Sequence, residues 1–443
     1  MQKKPTPESN SPQFVAWFRS VAPYFHAFRG KTFVVAFGGE LIDRARFFEF
    51  AHDLNLLHSA GIRIVLVHGS RPQIEAQLKQ RKARSRYHNG LRITDPVALE
   101  CVKEAVGLLR VEIDAVLSQG LPNSPMAGAA INTASGNFIT AQPLGVQNGI
   151  DYQYTGSVRK IDVPAVRGCL DAGNIVVVSP IGNSPTGEVF NLVMEDVAVA
   201  TAKALVADKL IFLSDAPVQD DSGKLVPELS ADRADSLLAS GKHLTDDTRL
   251  YLAHAVEAVR AGVRRAHLVS HKVDGSILIE LFTHDGSGSM ITAGELEQLR
   301  TATIDDVGGI LQLIEPLEED GTLVRRGREM LEREISRFFV LEHDGVILGC
   351  AALYPFPKDR AGELACLAVR PEERGNGYGD KLADAICDNA RKMGMKRIFV
   401  LTTRAMHWFV EREFREVSID KLPAERKALY NLQRRSHVLM KSV

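Results

Sequence analysis

At 443 residues, 45% hydrophobic and 25% charged, the chain has the make-up of an ordinary globular protein, with room for about two or three domains. A net charge of −1 offers no global field for nucleic acid or an anionic membrane, and no run of about 18 apolar residues marks a membrane span. Five cysteines, Cys101, Cys169, Cys350, Cys366 and Cys387, are scattered without a Cys-x-x-Cys pair, which speaks against a disulfide framework or a metal site and fits a reducing cytoplasm.

The first twelve residues, MQKKPTPESNSP, are polar, carry no apolar signal core and are expected to be disordered. Residues 13–29 follow as an amphipathic helical pattern, with Phe14, Trp17, Phe18, Val21, Tyr24, Phe25 and Phe28, which Pro23 is placed to kink. Its aromatic face should pack on its own domain or on a neighbouring subunit. Lys31–Phe37 reads as a buried strand ending in Gly38-Gly39, and a helix with Phe47, Phe50, Leu54 and Leu57 comes next. A second strand, Ile62–Val67, ends in His68-Gly69-Ser70-Arg71-Pro72, and further strands are expected at 175–179, 209–214 and 266–270. Strands alternating with helices predict a parallel α/β sheet covered on both faces, with ligand-binding turns at the carboxyl ends of the strands.

These turns resemble the amino acid kinase family over residues 25–290. The resemblance is carried by Phe37-Gly38-Gly39, His68-Gly69-x-Arg71-Pro72, Asn191 and Leu213-Ser214-Asp215. Two departures stand out. Where the family carries a lysine for phosphoryl transfer, this chain has Ala36, and the family's later lysine-bearing stretch aligns with Asp246-Asp247-Thr248. The domain, taken as residues 1–288, is therefore expected to be silent as a kinase. Its end, Glu280-Leu281-Phe282 followed by Gly286-Ser287-Gly288, resembles the arginine-binding stretch of arginine-sensitive members. That resemblance implies L-arginine as an inhibitor held by Tyr24, Glu280, Gly286 and Gly288.

From Gln298 the pattern changes. Arg300–Asp306 reads as the opening of a helix containing Ile310, Leu313 and Ile314, with Thr303, Asp305 and Asp306 suited to its cap. A basic run, Val324–Arg328, precedes a second helix, and a strand at Phe338–Glu342 turns at His343-Asp344-Gly345 into its return strand Val346–Tyr354. Then Glu363–Asp384 reads as an apolar strand, a glycine-rich loop and a helix start. Such a loop exposes backbone N–H groups at the positive end of a helix dipole, which suits phosphate oxygens. Its form, Arg374-x-x-Gly377-x-Gly379, resembles the pyrophosphate loop of the GNAT acetyltransferases, and the resemblance covers residues 298–443. It implies an α+β domain taking acetyl-CoA as co-substrate, with no prosthetic group. Cys366, Leu367, Ala368 and Val369 would hold the pantetheine, and Arg374, Gly375, Asn376, Gly377, Tyr378 and Gly379 the diphosphate.

An amino acid kinase domain joined to a GNAT domain resembles the bacterial N-acetylglutamate synthase family. That resemblance implies acetyl transfer to the α-amine of L-glutamate, the first step of arginine biosynthesis, in a cytoplasmic homo-oligomer, a hexamer. By family position the acceptor's carboxylates fall to Arg325, Arg326, Arg434 and Ser436. Glu363, directly or through water, is the candidate general base. The position of the tyrosine acid found in many GNAT enzymes holds Phe409, so Thr402 is the substitute. Two other readings stay open: the same transferase with another amine or a protein lysine as acceptor, and a non-enzymatic arginine sensor that merely binds CoA.

Overall fold

A computed structural model describes residues 11–42, 44–240, 244–283, 285–294, 297–343, 346–431 and 436–443. The chain divides into two compact units, Met1–Gly294 and Glu295–Val443.

The first unit is built on an eight-stranded sheet. Six of its strands run parallel in the order Arg265–Ser270, Lys209–Ser214, Thr32–Phe37, Arg63–His68, Ile175–Val178 and Thr133–Ala134, the last at one edge. Ser289–Thr292 runs against the first of these and carries Glu228–Ser230 at the edge. Alternate side chains of the strands feed two cores on opposite faces. Val34, Ala36, Val65 and Val67 pack on one, Phe33, Val35, Phe37, Ile64 and Leu66 on the other. Both faces are apolar because helices cover both, so the strands read as continuous hydrophobic runs.

The helix Ser11–Phe28 contains Pro23 and lays its last turns on the short helix Ser276–Phe282. There Tyr24, Phe25 and Phe28 surround Phe282 with ring centroids 6.4, 5.3 and 5.9 Å away. Its first turns leave Phe14, Trp17 and Phe18 more than half exposed. The expected disorder of residues 1–12 falls mostly on residues 1–10, which lie outside the described residues.

The second unit has a seven-stranded sheet in the order Glu297–Thr301, Phe338–His343, Val346–Phe356, Ala361–Val369, Arg397–Thr402, His437–Ser442, Arg415–Glu416. Helix Val307–Glu319 packs on one face through Ile310, Leu313 and Ile314. Helix Tyr378–Lys392 packs on the other through Leu382, Ile386 and Ala390. Thr303 caps the start of the former region in a reciprocal box with Asp306. Arg300 and Thr301, expected from the sequence at the opening of that helix, instead end an edge strand. The cause is cross-strand pairing, since Arg300 faces Val340 and its guanidinium reaches Glu342 as well as Asp306. Of the expected hairpin turn, Asp344 and Gly345 lie outside the described residues.

Candidate functional site

Strand Ala361–Val369 organises the second unit's site. On one side it pairs antiparallel with Val346–Phe356, and on the other it pairs parallel with Arg397–Thr402 only through Ala361, Gly362 and Glu363. Beyond Glu363 the two neighbours part. A bulge tightens this divergence: Ala365 faces Ala352 and Ala368 faces Cys350, so Cys366 and Leu367 together oppose Ala351. Cys366 takes a positive φ of 52° to make the turn, a conformation a side chain adopts only under constraint.

The parted strands leave a cavity of about 610 Å³. Leu364–Val369 form one wall and Val400–Thr402 the other, with Phe409 and Trp408 behind. Leu364–Val369 have no partner in the neighbouring strand, so backbone groups along that edge face the cavity ready to bond an amide-bearing arm.

The glycine loop heads the same cavity. Gly375 and Gly377 have φ of 97° and 78°, which only glycine adopts freely, and Gly377 is the residue before helix Tyr378–Lys392. No side chain caps that helix, so its first N–H groups stay available, as a helix start requires of an anion site. Side chains brace the loop from outside. Asn376 donates to Glu373 at 2.9 Å, and Tyr378 donates to Glu297 at 2.9 Å. Gly379 lies against the Trp408 ring, where a Cβ would come to 3.0 Å of Cζ2. The Arg412 guanidinium stacks on Trp408 at 3.8 Å and forks onto Asp380. Arg374 is exposed.

Thr402 lines the cavity, and its hydroxyl oxygen accepts from the N–H of Ala405 at 2.9 Å, starting the helix that carries Trp408 and Phe409. Glu363 sits at the point where the strands part, 8% exposed. Both its oxygens accept from Arg426, at 2.6 and 3.0 Å. Burial pushes the Cys366 thiol up to about 11, so it is a poor nucleophile near neutral pH.

Of the residues expected to meet the acceptor, Arg326 is partly buried, its Nη1 donates to the Val324 carbonyl, and its guanidinium lies 5.7 Å from the Tyr354 ring centroid. Arg337 lies over the same ring at 5.0 Å, and the Tyr354 hydroxyl donates to Glu334. Burial pushes Tyr354 up to about 12. Arg325 is exposed, and the Ser436 carbonyl accepts from the Tyr430 hydroxyl. Arg434 lies outside the described residues.

In the first unit, Glu280 is buried at the end of a chain of polar groups. Lys209 Nζ lies 3.0 Å from His267 Nε2, and His267 Nδ1 lies 2.6 Å from Glu280 Oε1. Glu280 Oε2 accepts from the N–H groups of Ser287 and Gly288 at 2.9 and 2.7 Å. Burial pushes Lys209 down to about 7 and His267 down to about 4. Burial works the other way on Glu280, but these hydrogen bonds hold its carboxyl below the usual range. Gly286 takes φ 65°, and a Cβ on Gly288 would come within 2.5 Å of the Leu268 carbonyl oxygen. Tyr24 and Phe28 close the same corner, with Lys209 Nζ 5.3 Å from the Phe28 centroid.

Lys209, His267, Arg426, Trp408 and Arg412 escaped sequence reasoning. A histidine and a lysine inside apolar strands were the only signals for the first two, and nothing in the local sequence marked Arg426. Among the described residues no cluster of three or more His, Cys, Asp or Glu side chains is arranged to hold a metal, and no helix is long and apolar enough to cross a membrane.

Comparison with known proteins matches residues 31–270 to the amino acid kinase family and residues 309–414 to the acetyltransferase (GNAT) family. An amino-acid acetyltransferase of Ralstonia nicotianae is 56% identical over 440 residues, covering 99% of this chain and 97% of that protein. One from Pseudomonas aeruginosa is 51% identical over 98% of this chain and all of its own length. The crystal structure of N-acetylglutamate synthase from Neisseria gonorrhoeae complexed with coenzyme A and L-arginine is 39% identical, with a TM-score of 0.90 over 97% of this chain and 99% of its own. The same enzyme complexed with coenzyme A and N-acetyl-glutamate superposes with a TM-score of 0.63 at 40% identity over the same shares.

Proposed function

The chain belongs to the amino-acid acetyltransferase family, an amino acid kinase domain followed by a GNAT domain, and from that membership we propose that it moves an acetyl group from acetyl-CoA to the α-amine of L-glutamate. One observation carries the reading: the divergence of Ala361–Val369 from Arg397–Thr402 beyond Glu363, with a glycine loop at one end of the cavity and guanidinium groups near the other.

The diphosphate of acetyl-CoA lies against the amides around Gly377, and the pantetheine arm bonds the open edge of Leu364–Val369 like an added strand. An amide there polarises the thioester carbonyl. Glutamate's α-amine is mostly protonated at neutral pH, so Glu363, directly or through water, takes one proton. The neutral amine attacks the carbonyl carbon while both substrates are bound, and the C–S bond breaks. A second proton leaves the nitrogen, and the thiolate is protonated as CoA departs. Thr402 hydrogen-bonds or relays near the leaving sulfur. Arg326, with Arg325, Arg434 and Ser436, takes the acceptor's carboxylates, since a guanidinium matches a carboxylate bidentately.

The first unit is an arginine sensor in this reading. Glu280 takes the guanidinium, the Gly286–Gly288 loop takes the amino acid's ends, and Tyr24 covers it. Feedback on the first step of arginine biosynthesis is the physiological sense of such a site. The kinase reaction is silent: Ala36 replaces a cation, Asp247 stands near the carboxyl ends of the strands, and the Glu40 carboxylate folds over Gly38, where a phosphate would need room. The exposed aromatic turns of helix Ser11–Phe28 favour a partner subunit in a hexamer in the cytoplasm.

The experiment is direct: full-length chain, acetyl-CoA and L-glutamate without arginine, with the product identified by mass. N-acetylglutamate should accumulate in step with free thiol, and arginine should slow it. Absence of that product, or equal use of unrelated amines, would overturn the assignment.

A further inference from the structure

The candidate base is in the right place but engaged. Both Glu363 oxygens accept from Arg426 in a two-pronged pair, and the two groups are largely buried. A carboxylate held this way has one lone pair of each oxygen tied to the guanidinium, and the charge of Arg426 lowers its basicity toward an approaching ammonium. Among the described residues, the other hydrogen bond of Arg426 is a long one, from Nη1 to the Leu429 carbonyl at 3.4 Å. It stands on a five-residue helix, Ala424–Ala428, in the connection between the edge strand Arg415–Glu416 and the last strand His437–Ser442. That connection meets the strand Ala361–Val369 through this pair and through Leu422, which shares an apolar cluster with Ala361, and its Tyr430 hydroxyl donates to the Ser436 carbonyl. Arg326 lies near enough to act electrostatically on both Glu363 and Cys366.

We infer that Glu363 is a stand-in for a substrate carboxylate: on binding, a carboxylate of the acceptor takes its place on Arg426, and the displaced Glu363 becomes the proton acceptor for the α-ammonium. The inference rests on glutamate, or another carboxylate-bearing amine, being the acceptor. Exchange of one carboxylate for another keeps Arg426 paired throughout, so no largely buried guanidinium is left without a counter-charge. Freed Glu363 takes one proton from the ammonium nitrogen and becomes a carboxylic acid. The neutral amine then forms the N–C bond as C–S breaks, its second proton is lost, the thiolate is protonated, and Glu363 returns its proton to solvent. An amine without a carboxylate cannot release the base, so specificity and base activation become one event.

The test compares L-glutamate with its diamide, in which both carboxylates are amides, as acceptors for wild type, Arg426→Gln and Arg426→Lys. Exchange predicts a strong wild-type preference for glutamate. In Arg426→Gln that preference shrinks on the order of 100-fold, the loss of one bidentate charged pair, and the fall appears mainly as a raised KM for glutamate. Arg426→Lys, which keeps the charge and the fold but not the fork, lies between. CoA affinity, measured by calorimetry, reports that the site is still built. If Arg426 only scaffolds Glu363, both acceptors fall together, in kcat, with the preference intact, and the inference is overturned. Wild type that ignores glutamate altogether would instead overturn the functional reading beneath it.

Discussion

Single residues decide whether this site can work. Gly377 holds φ 78° at the mouth of the helix, with open space around its missing Cβ. The requirement is therefore conformational, and a β-branched side chain there strains the backbone by about 1–3 kcal/mol. Gly377→Val should weaken CoA binding roughly tenfold or more while leaving far-UV dichroism unchanged. Glu363→Gln keeps the shape but cannot take a proton, so kcat should fall on the order of 100- to 10,000-fold with CoA affinity retained. Away from the site, Asp53 is buried near Asp274 and Glu49, and burial first, then those like charges, push its carboxyl up from 3.8 to about 7. A raised acid binds more protons folded than unfolded, so the native state loses stability as pH climbs between those two values. The loss is at most about 4 kcal/mol above pH 7. Asp53→Asn should accordingly raise Tm at pH 8 and change it little at pH 4; a larger gain at pH 4 would reverse the sign and refute the reading.

At the scale of elements, the bulged strand and the aromatic helix carry most of the specialisation. Cys366 bends Ala361–Val369 out of register, and that bend both opens the cavity and aligns the edge that would receive pantetheine. The apolar run Leu364–Val369 and the turn at Pro371 made the strand and loop legible in the sequence. The bulge was not, because a positive φ at a cysteine leaves no mark in composition. The same holds for the edge strand Glu297–Thr301: its pairing with Phe338–His343 is a tertiary fact, and Arg300 and Thr301 read equally well as the approach to a helix. The sequence singles out Glu280 as a candidate for a guanidinium, whereas its relay through His267 to Lys209 depends on the parallel register that sets Lys209 beside Arg265 and His267 two pairs further along, opposite Ile211. Helix Ser11–Phe28 closes that corner through Tyr24 and Phe28. Removal of residues 1–25 should raise the arginine concentration for half-inhibition at least tenfold without abolishing acetyl transfer, as seen in thiol-release assays.

At the scale of the whole chain, two units divide the labour. The first matches the amino acid kinase family but carries Ala36, Asp247 and a Glu40 carboxylate lying over Gly38, and on the proposed reading ATP titration should give no heat. In the proposed reading Glu280 of the same unit receives the arginine guanidinium, and Glu280→Ala should abolish arginine inhibition while turnover without arginine persists; equal loss of both would count against a separate regulatory site. In the proposed reading the second unit carries the chemistry, and that chemistry depends on a carrier nucleotide docking against main-chain amides. The most direct check is calorimetric titration of CoA into the full-length protein and into Gly377→Val. Saturable binding to the first, weakened at least tenfold in the second, is the predicted result, and either no heat with wild type or an unchanged affinity in the variant would contradict it.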